Sequence, residues 1–151
     1  MTLWLPPIET LTEFPFEDVA RNLSRINRYG GGSLWNVAAH SCLVASLVPA
    51  EFELFGLIHD AHEAWIGDLC KPAKDMIREQ YEAIELVWQG KVNVLLGIDW
   101  PEGAFEAVAK ADHDAVEIEH QTELSGHAQR YEKMWIDLTL SALKLWKERN
   151  P

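Results

Sequence analysis

The chain has 151 residues, 48% of them hydrophobic, and a formal charge of −11 from 13 Lys and Arg against 24 Asp and Glu. This balance describes one ordinary globular domain, read as residues 1–151 with its core at about 16–120. The acidity argues against a nucleic-acid polymer as partner, because polyanion contacts need a basic face, yet it leaves room for a small anion held by local cations or a metal. Cys42 and Cys70 cannot build a disulfide framework and match no zinc spacing, so they read as reduced thiols of a cytoplasmic protein. No stretch has the length and apolarity of a membrane span, and Met1 to Pro7 lacks the features of a signal peptide.

Residues 1–14 are expected to be extended, with Pro6, Pro7 and Pro15 opposing a regular helix. Val19, Leu23 and Ile26 are spaced for a helix over 17–26, which Gly30, Gly31 and Gly32 end in a turn. Ser33 is placed to cap a helix over 34–47 that stops before Pro49. A wide apolar stripe of Phe52, Leu54, Phe55, Leu57, Ile58 and Ala61 predicts a continuous buried helix over 51–66. Pro72 starts a short helical piece over 73–78, and a long helix covers 80–96 up to Gly97. Phe105, Val108, Ala109, Asp112, Val116 and Glu119 track near one face of a helix over 103–120, and a last helix runs over 128–148. β-branched alternation is almost absent, so the expected fold is an all-α bundle.

Chemistry concentrates in His59-Asp-Ala-His-Glu-Ala-Trp-Ile-Gly-Asp68. His59 and Asp60 can reach one ion at a helix edge, and Glu63 lies over the same face. His40 sits in the preceding helix, and Asp112 lies on a face where an unpaired carboxylate is costly. Four N and O donors from three helices suit one divalent ion with positions left for water and substrate. The bland readings stand beside this one. His40 after Val37-Ala-Ala39 is also an ordinary core histidine, Glu63 an ordinary solvated residue, and Asp112 a partner for Lys110 or His113. His62 and His113 read as solvated or as outer partners of the site. Spacing alone also permits a structural metal in a binding or scaffold module.

The order His40, His59-Asp60, Asp112 resembles the signature of the HD-domain metal-dependent phosphohydrolases. Within them, Ile26-Asn-Arg-Tyr-Gly-Gly31, Trp35-Asn-Val-Ala-Ala-His-Ser41, Leu57 to Leu69, Lys71-Pro-Ala-Lys74 and Lys110-Ala-Asp112 resemble the small nucleotidase branch. The resemblance covers about residues 20–120 and implies a compact bundle with a five-helix core plus a C-terminal helix. It implies that His40, His59, Asp60 and Asp112 bind a divalent ion (Co, Mn, Mg or Zn), a second ion joining with a polyphosphate. It implies that Glu63 and Asp68 serve catalysis and that Arg28 and Lys74 contact phosphate, with Trp35 at the sugar or base and Lys110 toward a longer phosphate tail. Ala39 departs from the pattern, since many relatives carry Glu before the first metal histidine.

The substrate so implied is a deoxynucleotide. The short Arg28-Tyr-Gly-Gly31 loop and the small size lean toward the compact viral dATP triphosphohydrolases, which release triphosphate. The alternative is the bacterial 5′-deoxynucleotidases, which act on monophosphates. Lys110 discriminates: facing the pocket it serves a phosphate tail, and pointing away it favours a monophosphate. A (p)ppGpp or cyclic-nucleotide phosphohydrolase is a weaker expectation, because paired histidines for a second metal are missing. A homodimer or higher homo-oligomer is the family-like expectation, with Trp88, Trp135 and Trp146 as interface or core anchors.

Overall fold

The computed structural model describes residues 4–151. Among them lie eight α-helices: α1 (Phe16–Arg25), α2 (Val37–Leu47), α3 (Glu53–Ile58), α4 (Glu63–Ile66), α5 (Lys71–Met76), α6 (Arg78–Leu96), α7 (Ala104–Gln121) and α8 (Ala128–Arg149). No sheet occurs among the described residues, and the sole bridge pairs Asn27 with Asn36. Of the stretch expected to be extended, Ile8–Thr10 forms a 3₁₀ turn, and residues 1–3 lie outside the described residues.

Helices α2 and α3 form the centre. α2 packs on α1, α3, α7 and α8, and α3 packs on α7 and α8. The C-terminal helix is therefore part of the packing rather than a tail: α8 lies against α1, α2 and α3. Val19, Leu23, Val37, Val44, Phe55, Leu57, Ile58 and Trp135 are wholly buried between these helices. Trp135 is thus a core residue, and Trp88 and Trp146 pack against the core edge. No described helix is long and apolar enough to cross a membrane. Cys42 is buried, Cys70 is exposed, and both are free thiols.

Two local departures from the expected helices shape the site. Asn36, not Ser33, caps α2, its side chain accepting from the Ala39 N–H at 2.9 Å. Ser33 Oγ instead accepts from the Trp35 N–H at 3.1 Å, so residues 34–36 remain in the loop. That loop closes on itself through Arg28 N to Trp35 O and Val37 N to Ile26 O. Its tip runs through left-handed φ at Tyr29, Gly30 and Gly31, a path that glycine permits cheaply and that places strain on Tyr29.

The second departure is the expected helix over 51–66. It begins as a 3₁₀ turn at Ala50–Phe52, runs as α3, tightens after Ile58 and resumes as α4. Ala61 N bonds Ile58 O and Glu63 N bonds Asp60 O, each three residues apart, as in a 3₁₀ winding. The Leu57 carbonyl receives the Trp135 Nε1–H instead, at 2.8 Å, which ties α8 to the tightened turn. A continuous apolar stripe cannot announce such a change of pitch, because the same side chains are buried on either winding.

Gly56 sets how closely α2 and α3 approach. A Cβ there would lie 2.8 Å from Ala45 Cα and 3.0 Å from Ala45 N, backbone atoms that cannot move without moving α2. Gly56→Ala is expected to lower stability by about 1–3 kcal/mol despite its better helix propensity, measured by urea unfolding. Trp135→Phe keeps most of the apolar volume but strands a buried carbonyl, for an expected loss of about 1–3 kcal/mol in the same assay.

Candidate metal centre

The cap at Asn36 starts α2 one turn before His40, which is wholly buried. The tightened turn after α3 carries His59 and Asp60 to the same point. His40, His59 and Asp60 each offer a ligand atom within 4.8 Å of the others, a cluster able to hold a metal ion. His59 Nε2 lies 3.1 Å from Asp60 Oδ2, and His40 Nε2 lies 3.6 Å from the same oxygen. Asp112, one helical turn beyond the buried Val108 of α7, comes within 2.9 Å of His40 Nε2 and 3.9 Å of His59 Nε2.

The two histidines are fixed by their other nitrogens. His59 Nδ1 lies 2.7 Å from the Gly56 carbonyl, an acceptor, so Nδ1 donates there. His40 Nδ1 lies 2.8 Å from Glu119 Oε1. In its neutral form each ring presents an Nε2 lone pair, which a bound cation would take in place of a proton. Both Nε2 atoms are buried and have no partner in hydrogen-bonding geometry among the described residues. Two orphaned buried nitrogens facing two carboxylates fit a divalent cation, whose charge offsets the carboxylates and whose coordination uses the lone pairs.

The charges follow from this packing. Burial works against a charged His59, but Asp60 more than compensates and lifts its pKa to about 9. Burial likewise opposes ionisation of Asp60, and the neighbouring histidines hold it well below the usual carboxylate range. Glu63 goes the other way. Burial first, then the Asp60 and Asp68 carboxylates, push its carboxyl well above the ordinary range. Glu63 is buried, so the bland reading of it as a solvated helix residue does not hold, and its environment favours the protonated form.

The remaining residues divide into those brought near and those left out. Lys74 Nζ lies 3.6 Å from Asp68 Oδ1 and 3.9 Å from Glu85 Oε1, so Asp68 and Lys74 flank Glu63. Arg28 reaches Glu119, with Nη2 3.2 Å from Oε2. Trp35 is buried, its Nε1 donating to the Thr122 carbonyl at 2.8 Å, and so braces the loop against the end of α7. Lys110 is not brought in: its side chain is 79% exposed and pairs with Asp114 at 2.8 Å. His62 is buried rather than solvated, with Nε2 3.5 Å from Glu85 Oε1, whereas His113 is exposed. A cavity of about 600 Å³ opens beside Glu119, among Tyr29, Ser33, Leu34, His120 and Leu124.

Glu119, placed only on one face of the helix over 103–120, and Tyr29, only part of the Arg28-Tyr-Gly-Gly31 loop, were given no role from the sequence. The usable signal was the stripe Ala104, Val108, Ala111, Ala115, Glu119, whose helical spacing ends on a charged residue. Phe105, expected on the inner face, is exposed, which shifts that face by about one residue.

Mn²⁺ or Co²⁺ is expected to bind one per chain and raise Tm, by mass action on the folded state. Asp60→Ala should abolish both effects, checked by calorimetry and thermal unfolding. No protein-family model matches the chain. A 70-residue stretch is 39% identical to the protein described as uncharacterized protein YfdR of Escherichia coli (strain K12), covering 45% of this chain and 39% of that protein. The matched stretch thus spans about two fifths of that relative's length.

Proposed function

We propose that this chain is a single HD-type domain that hydrolyses a deoxynucleotide phosphoester with a divalent metal. The observation that carries the reading is the pair of orphaned Nε2 atoms of His40 and His59, set against Asp60 and Asp112 and beside the buried Glu63. The resemblance of the His40, His59-Asp60, Asp112 series to the phosphohydrolase signature supports it. These four residues would hold the ion, which supplies Lewis-acid polarisation of a phosphoryl oxygen and acidifies water near neutral pH.

The chain's own groups account for the rest. Lys74 offers a mobile cation to the phosphate, and Arg28 offers a planar fork whose Nε is buried and unpartnered among the described residues. Glu63, in its protonated form, can give its proton to the ester oxygen as the P–O bond breaks and a water oxygen bonds to phosphorus. Asp68 between Glu63 and Lys74 keeps that proton and the cation apart.

The loop and chain length favour a triphosphate substrate. The outward pairing of Lys110 with Asp114 favours a monophosphate, because it leaves Arg28 and Lys74 as the cations for phosphate. We take the monophosphate reading as the better supported of the two.

The test incubates Mn²⁺-loaded protein with each deoxynucleoside mono- and triphosphate and separates the products by chromatography. Nucleoside and inorganic phosphate are expected from monophosphates. Triphosphate release with monophosphates untouched would reverse the choice of substrate, and no product from any nucleotide would refute the phosphohydrolase. Glu63→Gln is expected to keep metal binding and lower turnover about 100-fold or more.

A further inference from the structure

Glu119 is a wholly buried acid near the C-terminal end of α7, with partners on both carboxylate oxygens. The two oxygens are divided. Oε1 faces His40 Nδ1 at 2.8 Å, while Oε2 accepts from Tyr29 Oη at 2.5 Å and Arg28 Nη2 at 3.2 Å. One carboxylate therefore joins a helix carrying a metal-centre histidine to a glycine loop carrying the arginine with a spare donor.

Each half has a physical consequence. A carboxylate on Nδ1 fixes the ring tautomer, turns Nε2 toward the cluster and raises its basicity as a ligand. On the other side, Arg28 and Tyr29 sit on a loop with left-handed backbone at three successive residues, and the guanidinium also lies over the Tyr29 ring at 5.1 Å. Without Oε2 that fork has no anchoring acceptor at α7, and ordering it on an anion costs side-chain entropy.

Building on the metal-centre reading above, we infer that Glu119 is a positioning residue with two tasks: Oε1 sets His40 for the metal, and Oε2 sets Arg28 for a phosphate. Arg28 has only the second task. A residue that merely stabilised the fold would change Tm and leave the affinities of the folded protein as they were.

The experiment measures, by calorimetry well below Tm, Mn²⁺ binding and then inorganic phosphate binding to the Mn²⁺-loaded protein. Glu119→Gln is expected to weaken Mn²⁺ about 10–100-fold. At saturating Mn²⁺ it should also weaken phosphate about tenfold, the loss expected for one charge-assisted contact. Arg28→Ala is expected to weaken phosphate by a similar factor and to leave Mn²⁺ affinity within about threefold, a factor worth less than one neutral hydrogen bond. Glu119→Asp keeps the charge but withdraws it by one methylene, and is expected to weaken Mn²⁺ too, so an insoluble Gln variant leaves the test intact. Wild-type Mn²⁺ affinity in both Glu119 variants would overturn the first task. Wild-type phosphate affinity in them, beside a loss in Arg28→Ala, would overturn the second. Absence of Mn²⁺ binding by the wild-type protein would instead refute the metal centre itself.

Discussion

The close approach of α2 and α3 is the constraint on which the rest of the molecule depends. Gly56 lies against the Ala45 backbone with no room for a β-carbon, and that contact brings His40 on one helix within reach of His59 just past the other. The same glycine offers the carbonyl that holds His59 Nδ1. Packing and ligand orientation thus share one residue, and a shift large enough to admit a methyl group would disturb both. Trp135 reinforces the arrangement from α8 by occupying the carbonyl that the tightened turn releases.

A buried imidazole with a free nitrogen is unfavourable on its own account, and two of them within one cluster are more so. The fold tolerates them because the opposite nitrogens are committed to fixed acceptors from different elements, a backbone carbonyl for His59 and a carboxylate of α7 for His40. The cost of this arrangement is recovered when a cation completes it. The overall charge of −11 is consistent with that economy, since its excess lies mostly on the surface while the site concentrates carboxylates with local Lys and Arg. An acidic surface repels a polyanion and does not prevent one phosphate from reaching a neutralised site.

Much of this was legible in the sequence. Periodicity placed the long helices to within two or three residues, because burial of a stripe is what stabilises them. Spacing made the donor series His40, His59, Asp60 only suggestive, and its resemblance to a known metal-ligand signature singled it out. What escaped were features set by pitch and by distance in sequence. The tightening after Ile58 leaves no trace in hydrophobicity. Ser33 and Asn36 are both good capping residues, and only the closure of the loop on Ile26 and Trp35 selects Asn36. Glu119 lies 79 residues from His40, so no local pattern links them. The orientation of Lys110, which the sequence left open, follows from the helix: two residues before Asp112 it turns about 200° away from it and meets Asp114 one turn on.

The tightened turn also explains how two carboxyl groups three residues apart take opposite characters. In a 3₁₀ winding, residues i and i+3 nearly eclipse, which sets Asp60 and Glu63 side by side more closely than an α-helix would. Two carboxylates so placed cannot both ionise cheaply. His59 and His40 stand on the Asp60 side and stabilise its charge, whereas Glu63 faces burial, Asp60 and Asp68, with Lys74 the lesser influence. Glu63 therefore holds a proton more tightly than Asp60, and the negative charge sits more readily on Asp60, where a cation can use it. A change of helical pitch over four residues thus gives two neighbouring carboxyl groups opposite proton affinities.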